Sequence, residues 1–481
     1  MPAAPARSVA HSALGLAALL IVAGAVRYAF ARESHLWFDE LYTLFVARHP
    51  LPELLRIVGA DIHPPLHFVL VSAWRALGGE GDLWLKSLSI LAGLAGVALM
   101  VPAGRDFFSR PAGWLAAAFL ALHPAHAAFS QESRSFALLF LLLALATWMA
   151  WRWLERARSA DAIVYAIAAA AALWTHYLAG MALAFIGAWG LLALRRSPGR
   201  ITGWLGLHAA VAMLFAPQVP TLLEQLRRVQ ADHWVKDASI ATLVNFVRQL
   251  SLGPVYLMPV LLGLAALPLL RASQRRAASL LWCASLLPVA ALWALSMAKA
   301  GLFLERYMFF ALPSFALLVA AGITGFGSAW LRRALVVALL AFAARSLALH
   351  APQAEATALE RAERWLAPRV RPGDLVVHAD AHSILYARHY PADRARHVLL
   401  MTVPGLPYYE GEQVIPHEWR LTPSQFARIT SEGRRWWGLH EIYGYPGAEP
   451  AADMLRRASR GDSIRLDRVV IWSGTAAQSV R

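Results

Sequence analysis

The sequence predicts a polytopic α-helical membrane protein of about 11 transmembrane helices carrying a small C-terminal extracytoplasmic α/β domain. Three observations predict it. Of the 481 residues, 58% are hydrophobic and only 16% charged, and the mean hydropathy is +0.47, so the chain is too apolar for an ordinary soluble domain. Apolar stretches near the length of one bilayer crossing recur down to about residue 350, with arginines gathered in the gaps between them. Beyond residue 352 the apolar runs shorten, charges mix, and turn signals such as Arg371-Pro372-Gly373-Asp374 appear.

The formal charge of +15 does not point to nucleic acid. Only three lysines are present, and most arginines sit in short clusters between apolar segments, where they act as topology signals, so no nucleic-acid partner is expected. The single cysteine, Cys283, lies inside an apolar run, which excludes an internal disulfide and reads as a small buried hydrophobe.

In order along the chain, crossings fall near 11–30, 84–104, 114–131, 134–153, 161–178, 180–194, 203–217, 256–271, 279–298, 308–326 and 334–350. The first resembles a signal peptide in its flanks, but a chain that continues with many spans keeps such a segment as an anchor. Arginines at 105/110, 152/156/158, 195/196/200, 271/275/276 and 332/333 mark alternate connections and place them in the cytoplasm. The opposite connections are then external: the loop 31–67, Ser130 to Ser133, the turn at His176-Tyr177, the long loop 218–255, and Lys299 to Arg306. The apolar segment 66–77 is short for a span, and counting it as one would break the alternation, so it is assigned to the interface. Residues 1–351 thus form a membrane domain and 352–481 an external one. In the latter, 355–367 and 451–459 read as helices, and 375–378, 397–402, 435–439 and 463–472 as strands.

This topology gathers Asp39, Glu40, His63, Glu132, Arg134, His176, Tyr177, Lys299, Glu305, Arg306 and Tyr307 on one face. Carboxylates mixed with several cations at a membrane surface suit a substrate that is anionic at one end and loses a proton at the other. The motifs LWFDELYT, DIHPPLHFVL, SQESRSFAL, THYLAG and LERYMFFALP, in that order over roughly residues 10–350, resemble GT-C glycosyltransferases of the protein O-mannosyltransferase and aminoarabinose-transferase type. The resemblance is strongest to bacterial relatives that build lipopolysaccharide cores and other envelope glycans. It implies a multi-pass inner-membrane enzyme. Such an enzyme moves a sugar, with inversion, from a polyprenyl-phosphate donor to a lipid, glycan or protein acceptor outside the cytoplasm. This sequence has Phe136 where many relatives carry Tyr, and its C-terminal domain matches only in general style.

The chemistry accounts for the residue types. An inverting transfer needs a base for the acceptor hydroxyl, worth about 10²–10⁴ in rate, and Asp39 matches the family's catalytic carboxylate, with Glu40 beside it. The leaving phosphate needs fixed cations, which Lys299, Arg306 and Arg134 supply, while His63, His176, Tyr177 and Tyr307 complete the substrate-binding set. Glu40 and His63 organise Asp39 and the phosphate or hold an optional divalent ion; no cofactor is required. Each residue also has a structural use: acidic helix capping for Asp39 and Glu40, snorkelling for Arg306, a turn for His63, an interfacial belt for His176 and Tyr177, and an Arg134–Glu132 bridge. A transporter or flippase would instead place charges at mid-helix on discontinuous helices, and a scaffold gives no reason to collect them across five connections.

Overall fold

The computed structural model describes residues 4–231, 238–298, 302–351, 357–402, 411–442, 448–459 and 463–474. The chain splits into two compact units: residues 1–34 with 63–352, and residues 35–62 with 353–481. The expected division at 351/352 therefore fails for one stretch: the loop carrying Asp39 belongs to the same unit as the C-terminal residues.

The first unit is helical. Six helical stretches among the described residues are long and apolar enough to cross a membrane: Ser12–Arg32, Asp82–Phe107, Phe136–Arg156, Pro198–Val229, Ala272–Ala298 and Glu305–Thr324. Shorter apolar helices are Leu66–Gly78, Arg110–Leu122, Ser159–Thr175, Ala179–Leu194 and Leu257–Leu270. The expected crossing at 114–131 is broken: Arg110–Leu122 ends at His123, and Pro124 opens a separate turn of helix to Phe129. The crossing expected at 279–298 falls within Ala272–Ala298, which remains long and apolar enough to cross although a turn at Ala284 and Ser285 separates Ala272–Cys283 from Leu286–Ala298. The segment 218–255, expected as a loop, contains the amphipathic helices Val219–Ala231 and Ile240–Leu250. Their polar faces keep mean hydropathy low, which hides them from an apolar scan.

Helix Leu312–Thr324 lies at the centre of this unit, every residue from Leu312 to Ile323 being buried. Backbones approach closely there. A Cβ on Gly322 would lie 2.1 Å from the Leu264 carbonyl oxygen, and one on Gly104 only 2.3 Å from Gly113 Cα. Packing of this kind, in which small residues let helices touch, replaces the hydrophobic drive that is absent between helices in lipid.

The second unit is built on a six-stranded mixed sheet: β1 (Leu375–His378), β2 (Arg396–Leu400), β3 (Arg420–Leu421), β4 (Trp436–Glu441), β5 (Ser463–Leu466) and β6 (Val469–Gly474). Their order is β3-β2-β1-β4-β6-β5. The first four are parallel and β6 runs antiparallel to both β4 and β5. The single strand expected over 463–472 is a hairpin, turned at Asp467 with φ 55°. An Asp tolerates the left-handed region, and that turn was invisible to an alternation count. Helix Ala381–His389, capped by Asp380 Oδ1 on the Ser383 N–H at 2.7 Å, joins β1 to β2. Val377, Val398, Leu400, Phe426, Trp436, Leu455 and Trp472 form the core.

Residues 35–62 are tied into this unit. The Leu36 N–H donates to the Tyr390 hydroxyl at 2.9 Å, and His35 stacks edge-on with the Tyr390 ring at 4.5 Å. Phe38 meets His382 at 5.5 Å and Phe45 meets Trp419 at 5.9 Å. Aromatic anchors of this type carry large apolar area with defined geometry, so the segment is held along its length.

Candidate active site

In the helical unit, His63 precedes Pro64-Pro65, which open helix Leu66–Gly78. Proline at a helix start forfeits no needed N–H and fixes the entry angle, so this turn places His63 and His67 reproducibly. Arg134 comes from the turn before helix Phe136–Arg156, is buried, and puts Nη2 3.4 Å from His63 Nε2. Its backbone N–H donates to the Glu132 carbonyl at 2.7 Å, which tightens that turn.

His176 stands just after helix Ser159–Thr175 and meets the Tyr307 ring edge-on at 5.0 Å. Arg306 lies over the same Tyr307 ring at 5.5 Å, a cation–π contact that holds the guanidinium beside the imidazole. His176 is within electrostatic reach of His63, Arg134 and Arg306, and His67 within reach of Arg134 and His63. Five of the residues named from sequence, His63, Arg134, His176, Arg306 and Tyr307, are thus linked into one group.

Tyr177 joins through a different path. Its hydroxyl donates to Gln225 Oε1 at 2.6 Å and accepts from Gln218 Nε2 at 2.9 Å, and Gln225 Nε2 in turn donates to the His63 carbonyl at 3.4 Å. Glu305 accepts from Asn245 Nδ2 at 2.6 Å and Gln249 Nε2 at 2.5 Å, which fixes the residue before Arg306 to helix Ile240–Leu250. The glutamines and His67 were missed by the sequence reading. Gln218 and Gln225 are seven residues apart, two helical turns on one face, but they lie in the stretch read as loop. His67 stands four residues after His63 within the quoted HPPLH, and that spacing was the available signal.

Asp39 and Glu40 lie in the other unit, in the first turn of helix Phe38–Ala47. Glu40 is buried and its Oε2 accepts the Trp37 N–H at 3.1 Å, the reach-back of a capping box. That bond occupies Glu40 with helix geometry. Asp39 is half-buried, and its carbonyl accepts from the Thr43 hydroxyl at 2.7 Å. Lys299 lies outside the described residues. Among the described residues, no group of three or more His, Cys, Asp or Glu side chains is arranged to hold a metal ion, so no step is assigned to the optional divalent cation.

A model of the dolichyl-phosphate-mannose-protein mannosyltransferase family matches residues 62–220, the stretch that holds His63, Arg134, His176 and Tyr177. Among solved structures the chain is similar to ArnT from Cupriavidus metallidurans. It is 13% identical to the apo state over 96% of this chain and 98% of that one, with a TM-score of 0.65. Against ArnT bound to undecaprenyl phosphate the figures are 14%, the same coverage, and 0.62. The oligosaccharyltransferase of Archaeoglobus fulgidus in complex with zinc and sulfate is 13% identical, over 91% of this chain and 69% of that one, with a TM-score of 0.50. No curated protein sequence matches. The fold is the GT-C fold, that of a multi-pass membrane protein with a small sheet domain.

Proposed function

We propose that the protein is an integral membrane glycosyltransferase that moves a sugar from a polyprenyl-phosphate donor to an acceptor on the external face of the inner membrane. The observation that carries this reading is the group formed by Arg134, His63, His176, Tyr307 and Arg306 in the helical unit. Guanidiniums and imidazoles gathered at helix ends are suited to a phosphate, and the undecaprenyl phosphate bound to the related ArnT supports that donor class.

In the step proposed, the acceptor hydroxyl oxygen forms a bond to the anomeric carbon on the face opposite the phosphate. Asp39 takes the hydroxyl proton as the bond forms. The anomeric C–O bond breaks, its electron pair leaves with the polyprenyl phosphate, and inversion follows from attack opposite the leaving group. Charge develops on the phosphate oxygens, and Arg134 and Arg306 compensate it from fixed positions; Lys299 is assigned the same task. Tyr177, held by Gln218 and Gln225, keeps the His63 turn in place. Glu40 supports Asp39 by closing the start of its helix. The acceptor is a lipid, an envelope glycan or a protein.

Membranes containing the full chain, supplied with a panel of polyprenyl-phosphate sugars and an extract of envelope acceptors, test this directly. Transfer from one donor with release of polyprenyl phosphate is the expected result. Transbilayer movement of donor without release of polyprenyl phosphate would replace the reading by that of a flippase.

A further inference from the structure

Most arginines at the connections of the helical unit have a partner within the protein. Arg200 donates to the Trp153 and Leu154 carbonyls, Arg271 to those of Ala321 and Gly322, and Arg275 to that of Leu269, so each satisfies carbonyls near the end of another helix. Arg105, Arg152 and Arg156 surround Asp106 at 3.2–3.5 Å. For the side chains of Arg195 and Arg196 no hydrogen bond or ion pair occurs among the described residues. Arg158 and Arg333 are similar in this respect among the described residues, and Arg195 and Arg196 in addition line a cavity.

That cavity measures about 350 Å³ and is walled by Trp189, Leu192, Ala193, Arg195, Arg196 and Arg276. Its size is at the lower end of small-molecule sites, about 300–1,000 Å³. It lies where helix Ala179–Leu194 ends beside helix Ala272–Cys283. Two features give it a built floor. Trp189 is buried and its indole N–H donates to the Ser279 hydroxyl at 2.9 Å, and Arg276 is fixed by Glu155 at 2.7 Å and by the Trp151 ring. Leu192, 60% exposed, continues the wall as apolar surface. Among the described residues the pocket therefore joins three guanidiniums, only one of them neutralised by a carboxylate, to an apolar flank on apolar helices.

We propose that this pocket binds the phosphodiester headgroup of an anionic membrane lipid, with Arg195 and Arg196 on the phosphate, Arg276 at its side, and an acyl chain along Leu192. Arginine matches phosphate with paired N–H donors, and basic pockets between membrane helices with an apolar wall recognise lipid headgroups in this manner. The site is separate from the residues assigned to sugar transfer, and the proposal stands independently of that assignment.

The test uses the full chain, purified and delipidated in a neutral detergent, titrated with fluorescent phosphatidylglycerol. Saturable binding is expected, displaced by unlabelled phosphatidylglycerol and neither by phosphatidylcholine nor by inorganic phosphate. The double variant Arg195→Gln with Arg196→Gln should bind roughly 10–30-fold more weakly, from about a five-fold contribution per interfacial cation. Arg158→Gln with Arg333→Gln removes the same charge away from the pocket and should bind like the parent. Equal loss in both double variants would reduce the effect to bulk charge and overturn the site. Competition by inorganic phosphate as strong as that by the lipid would overturn the lipid as ligand. Thermal melts of each variant separate lost binding from lost folding, and the conservative pair Arg195→Lys with Arg196→Lys, if folded, should retain most of the binding.

Discussion

In the sheet unit, three buried carboxylates are each matched with an imidazole; in the helical unit, imidazoles are gathered with guanidiniums. Asp380 faces His440 at 3.5 Å, Glu441 faces His382 at 2.7 Å, and Asp393 faces His397 at 3.1 Å. His378 continues the chain, 2.9 Å from both His397 and the Ser383 hydroxyl. Burial alone would raise the Asp380 carboxyl, but the His440 hydrogen bond and charge, with the Glu441 and Ser383 N–H groups, outweigh it and hold the carboxyl below its ordinary range. For His440, burial opposes protonation and the Asp380 bond outweighs it, so that imidazole titrates above its ordinary value. This pair stabilises most between the ordinary carboxylate and imidazole ranges: the Asp380 contribution is lost on acidification, that of His440 as pH rises through its raised pKa. A network of this composition compensates itself. The helical group around Arg134 and His63 instead carries an excess of cations over carboxylates, the composition that the proposed binding of a donor phosphate needs.

That comparison can be broken at several points. The largest effect is expected for Arg134→Ala, which removes the buried guanidinium beside His63 and should lower turnover on the order of 10²–10³-fold, the usual loss when a fixed donor to a developing anion is deleted. The check is initial rate per folded molecule at saturating donor. Arg306→Ala should cost about 10-fold in donor affinity, the worth of one charge-assisted hydrogen bond; unchanged donor affinity and rate would return Arg306 to a snorkelling role. In the sheet unit the matched pairs should matter for stability and leave turnover alone, and Glu363 is the exception that sharpens this. Burial, helped by the nearby Asp393, raises its carboxyl from 4.5 to about 8. Between those values the unfolded chain loses the proton and the folded one keeps it, so stability falls as pH rises. Glu363→Gln should match the parent near pH 4 and exceed it by roughly 2–4 kcal/mol at pH 8, read as a rising difference in melting temperature with transfer unchanged. The smallest effect is expected for Glu40→Gln, because Gln makes the same reach-back to the Trp37 N–H. Transfer should change by no more than about three-fold; a loss beyond about 10²-fold would make Glu40 the base.

The same two regions differ in how much of them the sequence disclosed. The helical unit was largely legible because lipid demands long apolar stretches, and because His63-Pro64-Pro65, Arg134, His176 and Arg306 fall at the ends of those stretches. What escaped there was amphipathic: Gln218 and Gln225 stand where polar faces dilute the hydropathy. In the sheet unit, β1 and the helix Glu449–Ala458 were visible in outline, whereas helix Ala381–His389 was not, its sequence AHSILYARH lacking a clear apolar period. The attachment of residues 35–62 to the C-terminal residues had no sequence signal at all. It depends on Tyr390, His382 and Trp419 meeting Leu36, Phe38 and Phe45 across more than 300 residues of chain, and pairings at that separation leave no local pattern.

Whether Asp39 takes the acceptor proton is decided by Asp39→Asn. Asn preserves size, and Asp39 stands in the first turn rather than at the N-cap Trp37, so losing its charge costs the helix only about 0.3–1 kcal/mol and Phe38–Ala47 with its anchors on the sheet unit should survive. The measurement is transfer per folded molecule at saturating donor, with folding checked by the melting temperature. With Asp39 as the base, the variant should show a parent-like melt and a loss of transfer of about 10²-fold or more. Near-normal transfer in Asp39→Asn would contradict that role.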